Sequence, residues 1–224
     1  MRRPIIAIDG PAGAGKSTVA RLVAEKLGYI YIDTGAMYRA VACKVIENKI
    51  AITDVAWIVA LASQLDIHFE KIDGEQHIFS DSEDLTEAIR TSEATRLSSP
   101  VSAILGVRKR LVELRRKMGE QGGVVMEGRD IGTVVFPDAE VKVFLTASVT
   151  ERAKRRSEQL REMGMEADEQ KIAAEIRERD LRDSSRAHAP LRQAADAALI
   201  DSDLMSVDEV VDAIIAMHSE KAAV

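Results

Sequence analysis

Hydrophobic positions along the chain follow two periods. Ile5, Ile6, Ala7 and Ile8 form a short apolar run closed by Gly and Pro, which predicts a buried strand. From Lys16 onward the spacing lengthens. Val19, Leu22, Val23 and Leu27 recur at helical intervals and Gly28 follows, predicting a helix over 16–27 with a glycine stop. Residues 29–32 predict a second strand and 36–47 a second helix. The chain therefore opens strand, loop, helix, strand, helix, as a parallel α/β sheet does. Further core strands are expected at 124–126, 141–145 and 197–200. Helices are expected at 54–65, 101–118, 148–161, 167–182 and 207–217, with Pro100 as a break and Gly164 joining two highly charged helices. One stretch departs from this plan. Ile67, Phe69 and Ile72 lead into Asp73-Gly74 and then Ile78-Phe79, which predicts a hairpin and a small antiparallel β insertion at about 66–90.

The first strand runs directly into Gly10-Pro11-Ala12-Gly13-Ala14-Gly15-Lys16-Ser17, a gapless match to G-x-x-x-x-G-K-[ST] with a strand before it and a helix after it. Glycines let successive N–H groups converge on phosphate oxygens, and the helix N-terminus adds free donors. Lys16 has the reach for β- and γ-phosphates and Ser17 the oxygen for Mg²⁺. The pattern predicts binding of a nucleoside triphosphate and leaves the acceptor open. A regulatory GTPase is excluded: Asn48-Lys49-Ile50-Ala51 lacks the closing Asp of a guanine motif, and no Asp has Gly three residues on. A motor or helicase normally needs a longer chain and an apolar strand ending in Asp-Glu, which is missing. A kinase acting on a small molecule fits, with an ATP-driven binding switch as the reading from another class.

Three further clusters bear on the acceptor. Asp33-Thr34-Gly35-Ala36-Met37-Tyr38-Arg39 follows the second strand, where ligands of open α/β sheets sit, although Asp33 or Thr34 reads equally well as a helix cap with Arg39 solvated. Glu127-Gly128-Arg129-Asp130-Ile131-Gly132-Thr133 follows the third core strand. Arg179-Asp180-Leu181-Arg182-Asp183-Ser184-Ser185-Arg186 ends a charged helix, and Arg152, Lys154, Arg155 and Arg156 precede it. Each of these charged stretches alone also reads as a solvated surface.

Composition narrows the class. With 46% hydrophobic and 30% charged residues the chain can bury a core and stay in solution. The formal charge of −6 opposes a duplex nucleic-acid binder, and 4% aromatics opposes a stacking platform for single strands. No apolar run reaches about 18 residues, and one cysteine, Cys43, permits no internal disulfide, so a cytoplasmic protein is expected. Cys43 reads as core. Trp57 is expected to pack on the second-helix region. The four histidines show no metal spacing.

Taken together, these motifs closely resemble the bacterial cytidylate kinases, a branch of the nucleoside monophosphate kinases. The resemblance is carried by 10–18, 33–39, 128–137, and Arg179-Asp180 through Asp183, Arg186 and Ala189-Pro190-Leu191. It implies an α/β P-loop NTPase fold: a five-stranded parallel core sheet flanked by helices, a lid segment and the antiparallel insertion. It implies one kinase domain over 1–224, with core 1–65, 91–147 and 187–224, a monophosphate-side insertion at about 66–90, and a lid with flanking charged helices at about 148–186. The implied reaction moves the γ-phosphoryl group of ATP to CMP or dCMP. Gly10, Pro11, Ala12, Gly13, Ala14, Gly15, Lys16, Ser17 and Thr18 would hold ATP, with Arg152, Arg155 and Arg156 closing over it. Ser99, Arg108 and Asp130 would read cytosine or its sugar side. Thr34, Tyr38, Arg179 and Asp183 would line the CMP pocket. Arg39, Arg129 and Arg186 would surround the CMP phosphate. Lys16, Arg129, Arg186 and Asp33 would be the catalytic set, with Mg²⁺ on Ser17 through ATP and on Asp33 through water. Small-molecule partners, no nucleic acid, no membrane and a monomer complete the expectation.

Overall fold

The computed structural model describes residues 2–162 and 164–222. In chain order it contains β1 (Arg3–Asp9), α1 (Lys16–Leu27), β2 (Ile30–Asp33), α2 (Thr34–Glu47), α3 (Val55–Gln64), β3 (Ile67–Ile72), β4 (Glu75–Ser80), β5 (Glu83–Asp84), α4 (Ser92–Ala103) and α5 (Leu105–Met118). Then follow β6 (Gly122–Gly128), β7 (Val141–Thr146), α6 (Val149–Glu162), α7 (Glu169–Ser185), β8 (Ala198–Asp201) and α8 (Val207–Ala222). The chain divides into two compact units, Met1–Tyr31 with Gln121–Val224, and Ile32–Glu120.

The five-stranded sheet has the order β2-β6-β1-β7-β8. β1 lies between β6 and β7, parallel to both, and β7 continues parallel to β8. A central parallel strand must be apolar on both faces, and Ile5, Ile6, Ala7 and Ile8 are all buried. In the first unit α1 and α8 bring Val19, Val23, Val210, Val211 and Ile214 against Ile6, Ile8, Val125, Val143 and Leu145. Each such side chain removed from water contributes about 2 kcal/mol. The register pairs Asp9 with Gly128 on one side and Phe144 on the other, so the loops after β1 and β6 leave the sheet side by side at its carboxyl edge.

The second unit is built on α2 and holds the predicted insertion. β3, β4 and β5 form an antiparallel three-stranded sheet, and Ile72 pairs with Glu75 across the turn. Asp73 and Gly74 both have positive φ, 52° and 89°, the conformation a two-residue hairpin turn requires. Met37, Val41, Val45, Ile58, Ile67 and Ile78 share one core with Val101, Val107 and Leu111.

Two expectations are corrected here. Pro100 does not break the chain. It lies inside α4, whose buried face of Ala94, Ser98, Val101 and Ser102 outweighs one lost backbone hydrogen bond. The break falls at Ile104, where the backbone is extended, φ −72° and ψ 116°. Trp57 does not pack inward. It is 70% exposed, because its neighbour Ile58 takes the inward face of α3 and one residue along a helix turns about 100° away.

Candidate active site

The loop between β1 and α1 curls as its glycines predict. Gly10 has φ 151°, and a Cβ there would sit 1.9 Å from the Leu145 carbonyl oxygen, so only glycine fits. Gly13 has φ 80° and faces the stem of Arg152; a Cβ on it would lie 3.3 Å from the Arg152 Cβ. Lys16 is buried and donates to the Pro11 carbonyl at 2.7 Å, spanning its own loop. Burial pushes its ammonium down to about 7; the nearby Arg129 and Arg179 guanidiniums act the same way, and Glu127 and Asp9 oppose them. Ser17 and Thr18 lie in the first turn of α1, and both are exposed.

Asp9 braces the neighbouring loop. Its Oδ1 accepts from the Ile131 N–H at 2.8 Å and its Oδ2 from Gly132 at 2.7 Å. Burial lifts its carboxyl to about 6 despite those two N–H donors. The Lys142 stem lies under the same turn: a Cβ on Gly132 would come within 3.2 Å of it. Lys142 is itself tied to the Pro137 carbonyl and to Asp196. Residues 131–135 form a π-helical turn, with Phe136 donating to the Ile131 carbonyl. Such turns recur at functional sites. This turn fixes Asp130, which is buried, and Arg129 beside it.

Arg129 donates through Nε to Asp183 Oδ2 at 3.0 Å, and Arg186 approaches Asp183 Oδ1 at 3.6 Å. Burial alone would raise the Asp183 carboxyl, yet the guanidiniums of Arg129, Arg186 and Arg179 outweigh it and hold it below the usual carboxylate range. Two predicted arginines thus meet on one buried carboxylate in the unit that carries Lys16, and the Arg179 charge acts on it as well. Nearby, Arg152 is buried and donates to the Ala147 and Ala12 carbonyls, both at 3.0 Å, and in fork fashion to Asp180 at 2.6 and 3.1 Å. These bonds tie α6 to the phosphate loop and to α7. Arg155 bonds Glu151 and Ser202, whose hydroxyl in turn reaches the Ala14 carbonyl. Arg156 is exposed and meets Gln159.

In the second unit, Asp33 caps α2, accepting from the Ala36 N–H at 3.0 Å, and its other oxygen pairs with Arg39 at 2.9 Å. Gly35 leaves room for that pair; a Cβ would lie 3.0 Å from the carboxylate and 3.1 Å from the guanidinium. Thr34 is buried in the first turn. Tyr38 is buried and its hydroxyl accepts from Arg115 at 3.1 Å. Arg108 is buried, donates to the Ser102 carbonyl at 2.8 Å and lies over the Tyr38 ring. Ser99 is half-buried on α4, where its carbonyl accepts from the Ser102 hydroxyl.

The cytidylate kinase family model matches residues 6–220. The chain belongs to the cytidylate kinase family. It is therefore an enzyme, a nucleoside monophosphate kinase. It is 52% identical over 217 residues to the cytidylate kinase of Pelotomaculum thermopropionicum, covering 96% of each chain. It is 50% identical over 215 residues to that of Caldicellulosiruptor bescii, covering 96% of this chain and 95% of the other. At 14% identity the shikimate kinase of Bacteroides thetaiotaomicron superposes with a TM-score of 0.51, over 96% of this chain and 98% of that one, a likeness of fold.

The kinase also uses residues that its motifs do not advertise. Asp9 holds the loop after β6, Ser202 bonds Arg155 and the Ala14 carbonyl, and Arg115 bonds the Tyr38 hydroxyl. Asp9 carries a signal in hindsight: a carboxylate closing an apolar strand must find donors, since it is buried. Arg115 carries none, because it sits among Arg116 and Lys117 like any solvated helix residue. The donor set fits a hard cation held mainly by ATP. Ser17 offers an exposed hydroxyl at the first turn of α1, and oxygen is the ligand Mg²⁺ prefers. Among the described residues no cluster of three or more His, Cys, Asp or Glu stands ready to hold a metal alone. No described helix is long and apolar enough to cross a membrane.

Proposed function

We propose that this kinase transfers the γ-phosphoryl group of ATP to CMP or dCMP, giving ADP and CDP or dCDP. The meeting of Arg129 and Arg186 on the buried Asp183, in the unit that carries the buried Lys16, supports this most directly. The acceptor phosphate has a second pKa of about 6, so at neutral pH it is already a dianion and a nucleophile. No strong general base is required. The barrier is electrostatic, two polyanions brought into line, and positioned cations lower it.

In this reading Gly10, Pro11, Ala12, Gly13, Ala14, Gly15 and Thr18 hold the ATP phosphates by backbone and hydroxyl donors. Lys16 leaves the Pro11 carbonyl for the β/γ-oxygens. Ser17, together with ATP and with Asp33 through water, would hold Mg²⁺, which would supply charge neutralisation of the triphosphate. Arg129 and Arg186, with Arg39, present planar forks to the CMP phosphate, in which a phosphate takes up the donors that Asp183 now receives. Arg179, Asp183, Thr34 and Tyr38 shape the nucleotide site. Cytosine offers an N4 donor beside N3 and O2 acceptors, to which Asp130 with Arg108 and Ser99 is complementary. Residues at about 148–186 form a lid with its flanking charged helices, whose Arg152, Arg155 and Arg156 close over ATP. The kinase works as a cytoplasmic monomer on small molecules.

The deciding measurement is coupled ADP formation with ATP·Mg²⁺ and a panel of CMP, dCMP, UMP and AMP at matched concentration. CMP and dCMP are expected to lead. Equal turnover of AMP, or none of any monophosphate, overturns the reading.

A further inference from the structure

Among the described residues, Arg115 is the largest side chain with no exposure at all. A guanidinium in a hydrophobic core is costly, and an apolar side chain of similar volume often packs there at no loss of stability. Its contacts show what it holds. Nε donates to the Leu111 carbonyl one turn back at 2.9 Å, and Nη2 donates to the Tyr38 hydroxyl at 3.1 Å. Its guanidinium carbon lies 5.5 Å from the Tyr38 ring centroid. Arg108 stands two turns earlier on α5, on the same stripe of the helix. Its own guanidinium carbon lies 5.6 Å from the same centroid. One phenol ring, supplied by α2, therefore receives two guanidiniums from α5, both within cation–π range.

We propose that Arg115 is a positioning residue for cytosine recognition. It fixes the tilt of Tyr38 through the phenol oxygen, and the ring in turn fixes the guanidinium of Arg108. The proposal rests on the reading of Arg108 as a nucleotide contact. A ring with an anchored hydroxyl presents one plane to Arg108. A ring without that anchor leaves the Ser102 carbonyl and the surrounding side chains to set where the fork points. Arg108 held in one pose discriminates between bases, and the same group in several poses loses that discrimination before it loses charge attraction.

The test compares Tyr38→Phe, Arg115→Met and Arg108→Met with the parent enzyme. KM for CMP, KM for ATP, the CMP:UMP ratio of kcat/KM and the melting temperature are read for each. Tyr38→Phe keeps the ring and removes only the acceptor. It is expected to raise KM for CMP about fivefold and to lower the CMP:UMP ratio by a similar factor, with KM for ATP within about twofold. Arg115→Met is expected to do the same, and the double variant to be no worse than either single one, since both cut one chain of contacts. If Arg115→Met fails to fold, Tyr38→Phe decides alone. A lower melting temperature with an unchanged CMP:UMP ratio overturns the proposal, for that is what a purely structural role produces. Loss of CMP selectivity in Arg108→Met with none in the other two also overturns it and leaves the reading of Arg108 standing. CMP use untouched in Arg108→Met removes the reading itself, and the proposal with it.

Discussion

The Asp183 cluster of the first unit and the Tyr38 cluster of the second hold their guanidinium groups by different means. In the first, Arg129 and Arg186 lie on Asp183, and Arg152 forks onto Asp180. In the second, Arg108 and Arg115 are set by a ring face and by the carbonyls of Ser102 and Leu111. A carboxylate is a reversible stand-in for phosphate, with the same charge sign and the same affinity for a planar fork. Arginines resting on one are poised to exchange it for a ligand that arrives and leaves each turnover. A ring face carries no net charge for an arriving phosphate to take over, and so it fixes direction. The first arrangement suits groups that follow charge as it moves in the transition state. The second suits groups that judge the shape of a base.

Conservative exchange of arginine for lysine in each unit tests this contrast most severely. Arg129→Lys keeps the charge and loses the fork, so kcat with CMP should fall about 100-fold while ATP affinity stays within about twofold. Arg108→Lys should instead raise KM for CMP about tenfold and leave kcat nearly intact. Steady-state kinetics at varied CMP and saturating ATP separates the two. If both variants lose kcat alike, the division of labour between the units is wrong.

The brace under the first unit's arginines gives a smaller effect. Asp9→Asn retains one acceptor and turns an amide N–H toward a backbone N–H, leaving one buried donor unsatisfied at a cost of about 1–3 kcal/mol. The loop bearing Arg129 and Asp130 should loosen, kcat/KM for CMP should drop about tenfold, and the amides of Ile131 and Gly132 should lose protection in hydrogen exchange. Unchanged protection at those two amides would detach Asp9 from the loop's placement.

How much of the molecule is legible in its sequence depends on the length scale of the interaction. The β1–loop–α1 segment is readable because its determinants are contiguous: an apolar strand, glycines at forced φ, a helix stop at Gly28. The Asp73-Gly74 hairpin is readable for the same reason. The outward turn of Trp57 and the continuity of α4 through Pro100 are not, because both depend on which face a helix buries, and that is decided by distant neighbours. In the site, Arg129, Asp183 and Arg186 are identified by resemblance, whereas the meeting of Arg129 with Asp183 joins positions 54 residues apart. Arg115 stays hidden because nothing in its own vicinity distinguishes a braced charge from a solvated one, whereas Asp9 closes an apolar strand and so has a local mark of its need for donors.

The finest test concerns a proton. Lys16 titrates at about 7 because burial and the Arg129 and Arg179 guanidiniums disfavour its charged form. A bound triphosphate favours that form strongly, so the ammonium is protonated in the complex well above pH 7. The sign follows from linkage: the complex binds more protons than the free enzyme between pH 7 and the raised value, so affinity for ATP falls as pH rises through that window. Between pH 7 and 8 the loss should be about fivefold. Calorimetry in two buffers of different ionisation enthalpy should then report uptake of nearly one proton at pH 8 and little at pH 6. Lys16→Arg, whose charge does not titrate there, should abolish the uptake even where it still binds ATP. No buffer dependence at pH 8 in the parent enzyme would mean that Glu127 and Asp9 already balance Lys16 without nucleotide. The first unit would then be as complete in the absence of its anion as the second, and the contrast between exchangeable and fixed cations would lose its basis.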